Sequence, residues 1–223
     1  MGTSITFRGE DGTEFSGYLA KVGRAYAPGV IVVPEWWGLQ GQIKGICDRF
    51  AAAGYEALAP DLYRGTVVPY HDTAAADREM KSLDFIKTTD QTIHSAARYL
   101  KQSGAKVALT GFCLGGAVAI LGAMRLPEID AAVCYYGLPS IAEGQPVELQ
   151  VPFQAHFANI DDWCTPAAVD RFQAAAKSRQ PVEIYRYDAA HGFMNEERPN
   201  AHQRQVAELA WARTLDFLGK HLA

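Results

Sequence analysis

Short apolar segments alternate with longer amphipathic segments along most of the chain. Six apolar runs are nearly continuous, as is typical of strands that are covered on both faces: 30–33, 55–59, 107–110, 131–136, 153–157 and 182–187. Stretches with helical periodicity separate them, at 43–53, 74–102, 114–126, 166–177 and 203–218. This order predicts an α/β fold, with a mostly parallel twisted sheet and helices on both faces.

The first 20 residues follow a different pattern. Apolar residues lie on both sides of Asp11-Gly12, a dipeptide typical of hairpin turns, so we expect an antiparallel hairpin at one edge of the sheet. Two segments, 61–72 and 138–152, match no regular element. Because open parallel sheets bind ligands beyond the carboxyl ends of their strands, both segments are candidate pocket walls.

Composition narrows the class of protein. The 223 residues are 48% hydrophobic and 21% charged, which is typical of a globular chain, and we expect a single domain over 1–223. A formal net charge of −4 without a basic cluster argues against nucleic-acid partners. No apolar stretch approaches the roughly 18 residues of a membrane span.

The cysteines and the N-terminal sequence indicate the cellular compartment of the protein. None of the four cysteines forms a CxxC pair, which favours free thiols in a reducing compartment. The N-terminus lacks the basic and apolar regions of a secretory signal. The expectation is therefore a cytoplasmic protein.

Cys113 occupies a position typical of a nucleophile. Gly111 and Gly115 flank it, an apolar strand precedes it and a helix follows it, which matches the G-x-nucleophile-x-G elbow with Cys in place of the commoner Ser. The helix N-terminus would favour a negative charge at the sulfur, and the N–H of Leu114 could hold an oxyanion. The alternative is a glycine-rich turn that contains an inert buried cysteine.

A nucleophile of this kind needs a base and an orienting acid later in the chain. Of the six histidines, His191 follows the last predicted strand and is the candidate base. Both Asp161 and Asp162 follow the preceding strand. Counting from the strand favours Asp161 and counting back from Pro166 favours Asp162; we choose Asp161 as the acid that holds the imidazole tautomer.

Glu35 is a third charged candidate. It follows an apolar strand and precedes Trp36 and Trp37, and the loop after this strand normally supplies a second oxyanion N–H. A carboxylate is costly to bury there unless it is paired. We therefore expect Glu35 to lie beside Cys113 and to tune its protonation, or else to be a solvated loop residue. Trp36 and Trp37 are predicted pocket walls.

The chain resembles the dienelactone hydrolases, or carboxymethylenebutenolidases, of the α/β-hydrolase superfamily. The resemblance rests on seven motifs spread over most of the chain: Pro34-Glu-Trp-Trp-Gly38, Pro60-Asp-Leu-Tyr63, Gly111-Phe-Cys-Leu-Gly-Gly116, Tyr135-Tyr-Gly137, the Asp161 segment, Ala190-His-Gly-Phe193 and Arg213-Thr-Leu-Asp-Phe-Leu218. It implies a single α/β-hydrolase domain and hydrolysis of lactones in aromatic degradation, with no metal or organic cofactor.

The resemblance also implies roles for individual residues. Cys113, Asp161 and His191 would form the triad, and the reaction would pass through a thioester at Cys113. Glu35 would help to form the thiolate when substrate binds. The N–H of Leu114 and one near Trp36 would hold the oxyanion.

The chain differs from this family in the residues that would bind the substrate carboxylate. Family members carry an arginine shortly after the histidine motif, where this chain has Asn195, with Arg198 three residues on. The resemblance implies a second arginine contact to the carboxylate, from the helical segment after the second strand. Arg64 or Arg78 could supply it, and we choose Arg78 and Arg198 as the candidate carboxylate contacts. The expected partner is a small lactone or ester; the alternatives are a general esterase or thioesterase and a non-catalytic ligand or redox sensor. The oligomeric state stays open.

Overall fold

The computed structural model describes residues 1–140 and 147–223. One eight-stranded sheet dominates these residues, in the order β1-β2-β4-β3-β5-β6-β8-β10. Its strands are β1 (Thr3–Arg8), β2 (Glu14–Ala20), β3 (Gly29–Val33), β4 (Glu56–Pro60), β5 (Val107–Phe112), β6 (Ala131–Tyr135), β8 (Phe153–Ile160) and β10 (Val182–Ala190). Two short strands, β7 (Val147–Leu149) and β9 (Ala176–Ser178), pair separately.

Helices cover both faces of this sheet. They are α1 (Gly41–Ala52), α2 (Thr73–Ser82), α3 (Phe85–Lys87), α4 (His94–Lys101), α5 (Leu114–Arg125), α6 (Pro166–Ala175) and α7 (Arg204–Leu222), with a π-helical segment at Thr88–Ile93. Within the described ranges, none of them combines the length and the apolar character needed to cross a bilayer.

Alternate side chains of the central strands point to opposite faces of the sheet and pack in two separate hydrophobic cores. Ile31 and Val33 of β3 pack in a cluster with α4, α5 and α6, whereas Val30 and Val32 pack in a cluster with α1 and α7. All four are fully buried, which explains why this strand is continuously apolar in the sequence. The predicted α/β architecture is confirmed.

The predicted hairpin is also confirmed. β1 and β2 pair in antiparallel fashion at the edge of the sheet, and β2 pairs antiparallel with β4. From β4 onward the pairings of the large sheet are parallel. The carboxyl ends of these parallel strands therefore meet at one edge, where the sequence places its candidate chemistry.

The single long helix predicted over 74–102 is wrong. The helix stops at Ser82, and Leu83 is extended. Asp84 then begins a new helix, since its side chain accepts a hydrogen bond of 3.0 Å from the backbone N–H of Lys87. A capping aspartate offers the backbone an alternative to continuing the first helix, and the amphipathic pattern alone does not reveal the break.

Two boundaries near the end of the chain also differ from the prediction. The predicted irregular segment 138–152 contains β7, and the predicted helix 166–177 stops at Ala175, where β9 begins. Both strands have three residues, too few for periodicity to identify. Residues 141–146 of the predicted segment lie outside the described residues.

A row of stacked rings crosses four neighbouring strands just below the carboxyl edge. Phe112, Tyr135, His156 and Tyr185 lie in direct register on β5, β6, β8 and β10. Successive ring centroids are 4.6, 4.6 and 5.5 Å apart, with interplanar angles of 17° to 19°. The row joins the four strands that lead to the carboxyl edge through direct ring contacts.

Hydrogen bonds fix the tautomer of His156 in this row. Its Nε2 lies 2.8 Å from Gln154 Oε1 and 3.1 Å from Thr214 Oγ1, and its Nδ1 lies 2.7 Å from the Tyr187 hydroxyl. The Gln154 amide nitrogen donates to Glu183, so its oxygen is the atom that faces the imidazole. Nε2 therefore carries the proton, and the Tyr187 hydroxyl donates to Nδ1.

This environment keeps His156 neutral. Burial, together with the charge of Arg213, lowers the pKa of His156 to about 3. In the unfolded chain the same group takes up a proton near pH 6.5. The unfolded state therefore binds more protons between these values, and the His156 contribution makes the folded state less stable as pH falls below about 6.5.

We expect this dependence to be measurable in urea. Between pH 6 and pH 4 the His156 contribution lowers the free energy of unfolding by about 1.4 kcal/mol per pH unit at most. His156→Gln removes the titrating group, so its free energy of unfolding should fall less steeply with pH than that of the wild-type protein. Equal slopes for the two proteins would contradict this assignment.

Candidate active site

The backbone at Cys113 adopts the sharp turn that the sequence predicts. Cys113 joins β5 to α5 with φ 54° and ψ −115°, a conformation that side chains other than glycine rarely adopt. A Cβ at Gly111 would overlap the backbone of Gly115, and a Cβ at Gly115 would overlap the carbonyl of Val33. The two glycines are therefore required for the turn to pack against β3.

The start of α5 lies directly behind the sulfur. Leu114 is the first residue of this helix, and the first N–H groups of a helix have no acceptor within it. Their dipoles favour negative charge beside Cys113. Cys113 itself is 6% exposed, so a charge on it is shielded from bulk water.

His191 and Asp161 lie side by side beyond the ends of two neighbouring strands. His191 Nδ1 is 2.7 Å from Asp161 Oδ2. The other Asp161 oxygen accepts hydrogen bonds of 2.8 Å from the backbone N–H groups of Trp163 and Cys164. Burial disfavours the charge on Asp161, but the hydrogen bond and charge of His191 and these two donors outweigh it, so the pKa of Asp161 is lowered.

The neighbours of the His191 imidazole favour its protonated form. Burial opposes the charge, but interactions with the neighbouring Cys113 and Asp161 outweigh it and raise the pKa of His191 to about 10. Such a pair can pass a proton between sulfur and nitrogen. The Tyr136 ring packs against the imidazole in a T-shaped contact, with ring centroids 5.0 Å apart and an interplanar angle of 60°.

Glu35 is buried beside this pair, with both of its oxygens occupied. The Tyr136 hydroxyl donates to Oε1 at 3.1 Å, and the Asn195 amide donates to Oε2 at 2.7 Å. Burial raises the pKa of Glu35, although both donors and the charges of His191 and Arg198 act against it. The solvated alternative for Glu35 is excluded, since it is 3% exposed.

Tyr136 and Asn195 were not predicted as partners of Glu35. Tyr136 belongs to a Tyr-Tyr-Gly motif, but only the structure shows that it takes φ 37°, the left-handed region, and carries its hydroxyl to Glu35. Gly137 beside it lies against the carbonyl of Cys113, where a Cβ would overlap. The sequence marks Asn195 only as the residue that stands where family members carry an arginine.

A cavity of about 380 Å³ opens onto Cys113, His191 and Glu35. Trp36, Trp37 and Trp163 form its aromatic wall, and the ring centroid of Trp36 lies 5.0 Å from those of the other two. Trp36 and Trp37, the two predicted wall residues, both lie among the residues that line this cavity.

The remaining predicted site residues differ in their placement. Arg198 lines the cavity, with its guanidinium 5.4 Å from the centre of the Trp37 ring, and Asp162 lines it beside Asp161. Arg78 is exposed on α2 and is not among the described lining residues. Arg64 lines a separate groove.

The predicted wall 61–72 contributes no lining residue among those the structure describes. This segment packs behind the aromatic wall of the cavity, where the ring centroid of Tyr70 lies 5.4 Å from that of Trp37. The separate groove, between the hairpin and residues 82–92, is larger, at about 1020 Å³. It contains neither Cys113 nor His191, so we place the site at the smaller cavity.

Comparisons of sequence and of structure with known proteins point to the same family. The model of the dienelactone hydrolase family matches residues 15–222. The protein usf of Aquifex pyrophilus is 33% identical, and a protein of Aquifex aeolicus assigned as a carboxymethylenebutenolidase is 30% identical; both alignments cover all of both chains. A solved Klebsiella pneumoniae structure assigned as a dienelactone hydrolase superposes with a TM-score of 0.82 at 25% identity, covering 98% of this chain and 99% of that one.

The family match spans nearly the whole chain, and the two Aquifex relatives align over their full length. The chain belongs to the dienelactone hydrolase family, within the α/β-hydrolase superfamily.

Proposed function

We propose that this protein opens a small lactone, or cleaves a carboxylic ester, through a Cys113–His191–Asp161 triad and a thioester intermediate. Membership of the family makes it a carboxylic ester hydrolase. The observation that carries the mechanism is the 2.7 Å hydrogen bond from His191 to Asp161, made beside a cysteine at a helix N-terminus. The single family match over 15–222 supports one domain.

In the first half-reaction the Cys113 thiolate attacks the acyl carbon. The negative charge moves to the carbonyl oxygen, where the N–H of Leu114 and a second N–H near Trp36 stabilise it. His191 then gives its proton to the leaving oxygen as the carbon–oxygen bond breaks. In a lactone the leaving oxygen stays attached through the acyl chain, so the whole substrate is held as a thioester.

Water completes the reaction. Neutral His191 takes a proton from a water molecule, which attacks the thioester carbon. The carbon–sulfur bond breaks, the acid is released, and Cys113 returns as a thiolate paired with the protonated imidazole. Asp161 keeps the Nδ1 proton in place throughout and stabilises the imidazolium.

Glu35 tunes this cycle from its buried position. Its two hydrogen bonds come from neutral groups, the Tyr136 hydroxyl and the Asn195 amide. A carboxyl group with a raised pKa beside the thiol can exchange a proton with it when substrate alters these contacts.

The cavity suits a planar substrate that carries a carboxylate. Three tryptophans supply flat apolar surfaces, and Arg198 supplies a positive charge among the lining residues. Guanidinium groups bind carboxylates with two parallel hydrogen bonds. Arg198 is therefore the proposed carboxylate contact, and Arg78 is the candidate that the cavity supports less. Cytoplasmic location and a part in aromatic degradation stay predictions.

Substrate turnover tests this function. We expect the purified protein to hydrolyse many equivalents of both p-nitrophenyl acetate and a carboxylated dienelactone. Arg198→Gln should raise KM for the dienelactone about tenfold, since it removes one charge-assisted contact, and leave the uncharged ester almost unchanged.

Arg78→Gln is the matched control, because it removes the same charge from an exposed helix position outside the cavity. A larger effect of Arg78→Gln would reassign the carboxylate contact. Turnover of uncharged esters alone would indicate a general esterase and would contradict the lactone substrate and the role of Arg198. Binding without turnover would indicate a ligand sensor and would contradict the proposal as a whole.

A further inference from the structure

One extra residue in β10 sets His191 beside Asp161. The last regular pair before the irregularity joins Tyr187 to Ala158, and pairing resumes at the final residues of β10 and β8. Three steps along β10 match two along β8, which is a β-bulge. The next residues on the two strands are His191 and Asp161. Without the bulge, Ala190 would stand opposite Asp161.

The strand that carries this bulge has only one strand neighbour. β10 is the last strand of the large sheet and pairs with β8 alone. A slip of one residue in pairing turns every side chain of a strand to the opposite face, so the register of β10 depends on which side chains its faces bury and bind. The position of the bulge therefore depends on side-chain contacts just before it.

Tyr187 supplies such contacts on both sides. Its hydroxyl donates to Nδ1 of His156 on β8, at 2.7 Å, and accepts a hydrogen bond of 3.0 Å from the Arg213 guanidinium on α7. His156 is in turn held by Thr214 of α7, at 3.1 Å. The last residue paired before the bulge is thus tied to the neighbouring strand and to the helix behind it.

We propose that Tyr187 is a positioning residue, whose hydroxyl, held between His156 and Arg213, fixes the start of the bulge that carries His191 to Asp161. The inference rests on the proposed function, since it assigns Tyr187 to the alignment of the proposed base and acid. Tyr187 itself does not touch the reacting atoms. Its effect passes through two residues of backbone to Ala190 and His191.

Tyr187→Phe tests the inference with the ring kept in place. We expect kcat for p-nitrophenyl acetate to fall about tenfold or more, with KM within about twofold, because misplacement of a base by a fraction of an ångström slows chemistry more than binding. Tyr185→Phe is the matched control: it removes a hydroxyl from the same strand whose bond goes to Glu183, and its kcat should stay within about twofold.

A second readout needs no substrate. The proton that His191 Nδ1 shares with Asp161 gives a downfield proton NMR signal, assigned by its loss in His191→Asn. Tyr187→Phe should weaken or broaden this signal and lower the pKa of His191, because the hydrogen bond to Asp161 is one of the interactions that raise it. Tyr185→Phe should leave the signal unchanged.

An unchanged signal and kcat in Tyr187→Phe, in an enzyme that Cys113→Ala inactivates, would overturn the inference and leave the function intact. Activity retained in Cys113→Ala would instead overturn the function. If Tyr187→Phe fails to fold, Arg213→Met, at a half-buried position on α7, removes the other hydrogen bond of the Tyr187 hydroxyl. It should weaken the same signal and lower kcat, and no change in either would overturn the inference.

Discussion

Cys113→Ala is expected to lower kcat/KM for p-nitrophenyl acetate by at least about 10⁴-fold, since removing the nucleophile of another triad costs on the order of 10⁶-fold in kcat. The reason is chemical, since alanine has no group that can form the acyl bond. The fold should survive, because alanine has the same Cβ as cysteine at φ 54° and the glycines on either side are unchanged. Initial rates and the thermal midpoint would be measured together.

Cys47→Ala is the matched control for this substitution. Cys47 is also a buried free cysteine, but it lies on α1, away from the cavity. We expect some loss of stability from the vacated volume and a rate close to that of the wild-type enzyme. If Cys113→Ala kept more than about a tenth of the wild-type rate, the thiol could not be the nucleophile.

Asp161→Asn is expected to lower kcat by about 10³-fold or more. The amide lacks the charge that stabilises the imidazolium, and it can hold the ring in the wrong tautomer. Its remaining oxygen can still accept the N–H groups of Trp163 and Cys164, so the turn after β8 should persist. The kcat loss should therefore come with only a small change in the thermal midpoint.

Asp162→Asn removes the same charge one residue further on. Asp162 lines the cavity, but the hydrogen bond of His191 goes to Asp161. Its kcat should stay within about threefold of wild type, as for a substitution outside the proton-transfer chain. A larger loss for Asp162→Asn than for Asp161→Asn would show that the acid was misassigned.

Local sequence signals were enough to predict the central elements of the fold. The apolar runs at β3, β5 and β6 are buried on both faces, so their composition alone marks them as inner strands. The turn at Cys113 was predictable because two glycines, a preceding strand and a following helix all indicate it. These features depend on neighbours in the sequence, not on distant parts of the chain.

Features that depend on distant residues were out of reach. The amphipathic pattern runs through the break at Leu83, because one capping side chain decides it. The bulge before Ala190 is defined by the pairing of two strands, and the sequence of either strand alone does not show how its residues align with those of the other. The partners of Glu35 lie 101 and 160 residues away along the chain.

The bulge also limits how the triad acid can be chosen from sequence. Counting from the end of β8 favoured Asp161 and counting back from Pro166 favoured Asp162. The choice depends on which residue of β10 stands opposite, and that register changes by one position at the bulge. Only the paired strands show that His191 bonds to Asp161.

The acyl-enzyme itself is the most direct test of the central claim. The enzyme would be mixed with excess p-nitrophenyl acetate, quenched in acid during turnover, and measured as intact protein and as peptides by mass spectrometry. We predict one acetyl group per chain, on the peptide that contains Cys113, and its release by neutral hydroxylamine, as for a thioester. Continued turnover with no acetyl group on Cys113, or with the acetyl group on another side chain, would contradict the proposed mechanism.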